Sequence, residues 1–151
     1  MISVLIETRD DEQALARTLA SLVPGAVDGL VKEVIVCDRG SSDGTALVAE
    51  HAGCVFLAST DSAGAARKAR GEWLLLLKPG ARLVSGWIEP TREHIAASDA
   101  PATFSRSRQT ELSLLSRLLR KRDRLAEGLL LRKGDASPKR PTRLRAEIHA
   151  V

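Results

Sequence analysis

The sequence predicts an α/β fold: a mainly parallel sheet flanked by helices, with a basic helix and tail toward its C-terminal end. Three observations predict it. Short apolar runs recur at 2–6, 33–37, 54–58 and 72–77, a length that suits strands covered on both faces. Helical segments stand between them, as parallel strands require of their crossovers. The charge also divides. Residues 1–105 carry 10 basic and 14 acidic side chains, a net −4, whereas residues 106–151 carry 13 and 5, a net +8.

The elements follow in order. ISVLI (2–6) is a β-branched first strand. Asp10 with Gln13 three residues on resembles a capping box, and Ala14, Leu15, Leu19 and Leu22 recur at helical spacing. Pro24-Gly25 is expected to stop that helix. EVIVC (33–37) is the second strand, with Asp38 at its carboxyl end. GSSDGT (40–45) is turn chemistry, and Ser42 or Asp43 is placed to cap a second helix at 43–52. CVFLA (54–58), AGAARKAR (63–70) and EWLLLL (72–77) read as strand, short helix and strand. A further helix is expected at 86–97, with Trp87, Ile88 and Ile95 inward.

After Pro101 the pattern changes. Leu112, Leu115, Leu118, Leu119 and Leu125 keep helical spacing among Arg117, Arg120, Lys121, Arg122 and Arg124, a basic amphipathic helix. GLLLRK (128–133) reads as one more edge strand, and 134–151 as a loose basic tail. The domain reading is therefore 1–105, then 106–133, then 134–151.

Composition narrows the function. Two Trp, two Phe and no Tyr leave no stacking platforms for single-stranded nucleic acid, so nucleic acid is not the expected partner. The basic half suits a phosphate, an anionic membrane surface or a protein partner, through residues 106–133. Cys37 and Cys54 sit in apolar runs without zinc spacing and read as reduced, buried thiols of a cytoplasmic protein. No run approaches the ~18 apolar residues of a membrane span, and MISVLIETRDD has no basic n-region of a signal peptide. His94 and His149 read as isolated surface residues, and His51 as a cation near a helix C-terminus. No Gly-x-Gly-x-x-Gly or Walker pattern is present.

The motifs carry a resemblance. The first strand ends in ETRDDE (7–12), the second in VIVCDRGSSDGT (34–45), and GAARK (64–68) precedes the fourth. Over residues 1–105 this is similar to the nucleotide-binding half of family 2 glycosyltransferases, of the GT-A fold. The family's first strand ends in Pro-Thr-aromatic-Asn-Glu; here Glu7, Thr8, Arg9, Asp10 and Asp11 stand there, and Thr8 matches. Its second strand reads Val-Val-Asp-Asp-Gly-Ser-x-Asp-Gly-Thr; here the match is close, with Arg39 in place of the second Asp.

The resemblance implies a UDP-type nucleotide sugar as donor, contacted by Thr8, Asp10 and Asp38, with Arg67 near the diphosphate. Bottom-up, Asp38 also fits a turn residue bonding its own backbone, and Asp10 a helix cap. The family's fourth strand ends in Asp-x-Asp, which holds Mg²⁺ or Mn²⁺ against the diphosphate. Here the three positions are Lys78, Pro79 and Gly80, so no metal site is expected there. Two readings of Lys78 stay open: a cation that meets the diphosphate directly, or a residue before a plain Pro-Gly turn. No catalytic base is assigned to Asp123 or Glu127. The function expected is a glycosyltransferase-like protein, metal-independent or catalytically impaired. The alternative is a non-catalytic relative acting as a partner or as a module peripheral at the inner membrane face.

Overall fold

The computed structural model describes residues 1–107, 127–135 and 141–150. The first half alternates as expected: β1 (Ile2–Thr8), α1 (Glu12–Val27), β2 (Val31–Asp38), α2 (Thr45–His51), β3 (Val55–Ala58), α3 (Ser62–Lys68) and β4 (Trp73–Leu77). A two-residue β5 (Arg82–Leu83), α4 (Ile88–Ala97), β6 (Ala102–Arg106), β7 (Leu129–Arg132) and β8 (Thr142–His149) follow. The sheet order is β3-β2-β1-β4-β7-β6-β8-β5. The four strands from β3 to β4 are parallel, and β7 runs antiparallel to both β4 and β6.

Side-chain alternation divides the core between the two faces. Ile2, Val4 and Ile6 of β1 join Val36, Leu75 and Leu77 on one face, under Leu15, Leu19 and Leu22 of α1. Leu5, Ile35, Cys37 and Leu74 line the other, against Ala65 and Ala69 of α3 and its end. The leucine run of β4 is thus inserted between two covered faces.

Four expectations need correction. α1 does not stop at Pro24-Gly25; it runs on to Val27, before Gly29 at φ +83°. Gly25 lies inside the helix because its bare Cα admits the ring of Trp87: an added Cβ would stand 2.5 Å from Trp87 Cζ2. The segment 128–133 is not an edge, since β7 is interior between β4 and β6. The tail is not loose over 142–149: β8 pairs β6 and β5, turning Leu144, Ala146 and Ile148 inward. Nor is His94 an isolated surface residue, as its Nε2 lies 2.8 Å from the Ala100 carbonyl and its ring meets the Trp73 ring edge-on. The expected basic helix and Asp123 lie mostly or wholly outside the described residues. Among those, no helix is long and apolar enough to cross a membrane.

Candidate functional site

The carboxyl ends of β1, β2, β3 and β4 lie side by side. Register places Thr8 opposite Asp38, Asp38 opposite Ala58, and Ile6 opposite Leu77. In an open parallel sheet this edge is where ligands are taken, because the loops that follow the strands converge there.

Asp38 is 5% exposed and spends its carboxylate inside the protein. Oδ2 accepts the Gly40 and Ser41 amides at 3.0 and 2.9 Å. Oδ1 accepts the hydroxyls of Ser41 and, at 3.2 Å, Thr8. A carboxylate has about four acceptor positions, so all are taken. Burial pushes this carboxyl up, but the bonds from Ser41, Gly40 and Thr8 outweigh it and hold it below the ordinary aspartate range. Asp38 and Thr8 are thus brought together, as the pair that shapes the loop after β2.

Asp10, at φ +53°, does not cap α1. Its Oδ1 accepts the Ser42 amide at 2.7 Å and the Ser42 hydroxyl at 3.2 Å. The Asp10 amide in turn donates to Ser41 Oγ at 2.9 Å. The helices α1 and α2 cap one another instead. The Glu12 amide donates to Asp43 Oδ2 at 3.1 Å, the Asp11 amide to Thr45 Oγ1 at 3.1 Å, and the Gly44 amide to Glu12 Oε2 at 3.2 Å. Free amides at helix starts need acceptors; here they come from the neighbouring loop, and the two loops are locked as one unit.

Arg67 lies elsewhere along the same edge. With Arg39, Gly40, Ser59, Thr60, Asp61 and Gly64 it borders a cavity of about 610 Å³. Lys78 borders another of about 250 Å³ with Leu5, Glu7, Ser62, Leu76, Leu77 and Pro79. Glu7 connects the two: Oε1 accepts the Ser62 amide at 2.7 Å and its hydroxyl at 2.9 Å, and Oε2 lies 3.7 Å from Arg39 Nη1. Glu7, Arg39 and Ser62 were not among the residues expected at the site. The signal that could have found Glu7 and Arg39 is their pair of departures from the family pattern, opposite in sign, at adjacent strand ends; Ser62 carried no such signal.

The turn after β4 has a definite geometry. The Ala81 amide donates to the Lys78 carbonyl at 3.1 Å, Pro79 is second and Gly80 is third at φ +90°. Proline then glycine at these positions is the preference of a type II turn. The Gly80 amide also reaches Thr18 Oγ1 at 2.8 Å, fastening the turn to α1. An ammonium, a proline and a glycine offer no anionic oxygen to a divalent cation. Among the described residues no group of three His, Cys, Asp or Glu could hold a metal. At this strand end the residues present offer no carboxylate to the metal that the resemblance implies.

No protein-family model matches the chain. A TPR repeat-containing protein of Synechococcus elongatus is 34% identical over 134 residues, covering 80% of this chain and 32% of that protein. The fold superposes on M. tuberculosis glucosyl-3-phosphoglycerate synthase with a TM-score of 0.61 at 19% identity, covering 88% of this chain and 57% of the enzyme. The same enzyme in complex with uridine diphosphate gives 0.60 at 20% identity, again with 88% and 57% covered. S. aureus TarS 1–349 gives 0.65 at 20% identity, with 87% and 47% covered. The chain thus spans about a third of the curated relative and about half of these solved structures. The likeness shows the fold, a GT-A-like glycosyltransferase architecture.

Proposed function

We propose that this chain is a glycosyltransferase-like domain that binds a UDP-type nucleotide sugar across the carboxyl ends of β1–β4, and that it does so without an acidic metal motif. One observation carries the reading. Residues far apart in sequence border two cavities at the ligand-taking edge of a GT-A-like sheet, Arg39 and Arg67 the one, Glu7, Ser62 and Lys78 the other, and the Glu7–Arg39 ion pair runs between their linings. The uridine diphosphate complex of a neighbour of this fold supports the ligand class. In this reading Thr8, Asp10, Asp38 and Ser42 hold the loops that form the base end, and Arg67 faces the diphosphate. Transfer by the chain alone is impaired. The buried Glu127 carboxylate near the end of β4 is engaged by Arg106 at 3.3 Å and Arg143 at 3.7 Å.

Thermal unfolding with UDP, UDP-sugars and other nucleotides, each with Mn²⁺ or with EDTA, tests the reading. A ligand at ~100 times its dissociation constant stabilises the native state by about 2.7 kcal/mol. A uridine-specific rise in Tm supports it; no rise with any nucleotide overturns it.

A second reading, membrane-surface or partner binding through residues 106–133, rests on the net +8 of residues 106–151. Flotation on anionic vesicles that weakens with salt would support it, and no flotation would end it.

A further inference from the structure

The departures of this chain from the family pattern at the carboxyl edge are linked in space. Arg39 stands where an aspartate is the rule, Lys78 where the first metal carboxylate is, and Glu7 where a proline is. The one acidic newcomer, Glu7, is the residue beside the Arg39 guanidinium. Arg39 shares its cavity with Arg67, which comes from a different element, α3. Arg67 makes no hydrogen bond or ion pair with the described residues, and its Nη2 lies 3.7 Å from where a Cβ on Gly64 would stand.

Two carboxylates stand nearby, Asp61 bordering this cavity and Glu7 bordering the neighbouring one, and each accepts hydrogen bonds from the protein. Asp61 Oδ1 accepts the Gly64 amide at 2.7 Å, and Glu7 Oε1 takes both donors of Ser62. The Glu7–Arg39 distance of 3.7 Å is a loose ion pair rather than a hydrogen bond. Each guanidinium carries five donors in a planar fork that fits phosphate oxygens two at a time. Two such forks facing one cavity repel a divalent cation and attract a phosphate group.

Resting on the nucleotide reading above, we infer that Arg39 and Arg67 together bind the phosphate groups of the ligand and supply directly the positive charge for which the family recruits a metal. Glu7 orients Arg39 by its ion pair and Ser62 anchors Glu7. The ligand class is a diphosphate ester or free pyrophosphate, bound in the absence of divalent ions.

Titration calorimetry in EDTA tests this with three probes: pyrophosphate, UDP and uridine. The wild type is expected to bind pyrophosphate and UDP. Arg39→Gln and Arg67→Gln are expected to weaken both at least tenfold and to leave uridine binding unchanged. Both side chains are exposed, and an unchanged Tm confirms that the variants fold. Glu7→Gln is expected to weaken pyrophosphate binding in EDTA by less than either arginine variant, because it loosens Arg39 without removing a guanidinium. Binding of UDP only after Mn²⁺ is added, or wild-type affinity in both arginine variants, overturns the inference. Uridine binding without pyrophosphate binding sinks this inference and spares the nucleotide reading. Pyrophosphate binding that needs both arginines, with no uridine or UDP binding, does the reverse.

Discussion

Thr8 and Asp38 stand directly opposite each other in the register of β1 and β2, and the Thr8 hydroxyl donates to Asp38 Oδ1 at 3.2 Å. Both positions resemble nucleotide contacts in sequence. In the folded chain they bond each other first, and the Asp38 carboxylate also takes both amides of the turn that follows. These bonds shape the loop after β2.

Asp38→Ala is therefore expected to lower stability, by about 1–3 kcal/mol, because it strands the buried Thr8 hydroxyl and removes the acceptor of the part-buried Ser41 donors. Urea unfolding at pH 7 measures it. The sign of the pH dependence follows from the downward shift of this carboxyl. Its contribution is complete above the unfolded-state value, near 3.9, and fades as pH falls through the lower folded value. The gap between wild type and variant should thus narrow below about pH 4.

Gly25→Ala tests the contact that extends α1 beyond Pro24. The new methyl would meet the Trp87 ring, which is 2% exposed and fixed against Phe104. Overpacking of this kind costs about 1–3 kcal/mol. A lower urea midpoint together with a changed Trp87 emission is expected; a stabilised variant, as helix propensity alone would give, contradicts the packing described.

Gly80→Ala addresses the turn after β4. At φ +90° a side chain is strained, and the turn is held at both ends by the Ala81 and Gly80 amides. A loss of about 1–2 kcal/mol is expected from the left-handed backbone alone. Pro79→Ala should cost less, since alanine reaches the same φ without strain.

Both cysteines should be inert in the native state. Burial pushes Cys37 up to about 11, with Glu7 and Asp61 adding to it, and burial pushes Cys54 to about 11. At pH 8 only about one thiol in a thousand is then the reactive thiolate. A colorimetric thiol reagent should count close to none before denaturant and two after; rapid native labelling of Cys37 would contradict its burial on β2 against Ala65 of α3.

How much of this was legible depended on where each signal lay. The strands β1, β2 and β4 were visible because a strand covered on both faces is a largely unbroken apolar run, and the edge strand β3 carries such a run as well, though it is only partly buried. β8 was hidden because it is buried on one face only: Arg143, Arg145 and Glu147 alternate with Leu144, Ala146 and Ile148, after two prolines that suggested a tail. β6 pairs with strands far along the chain, and β5 has two residues, too few for any periodicity. At the site, residue types were readable and partners were not. Asp10 has the chemistry of a cap, and only the fold shows that its acceptor serves Ser42 in the next loop. The Glu7–Arg39 pair left a trace only as two departures from the strand-end pattern of the family the sequence resembles.

The most direct test of the central claim is an amide NMR titration of the ¹⁵N-labelled chain with UDP in EDTA. The account predicts shifts confined to the carboxyl edge of the parallel strands, at Thr8, Arg39, Gly40, Ser62, Arg67 and Lys78. Shifts centred on the apolar groove between α1 and α2, at Leu19, Val23 and Val48, or no shifts at saturating UDP, would contradict it.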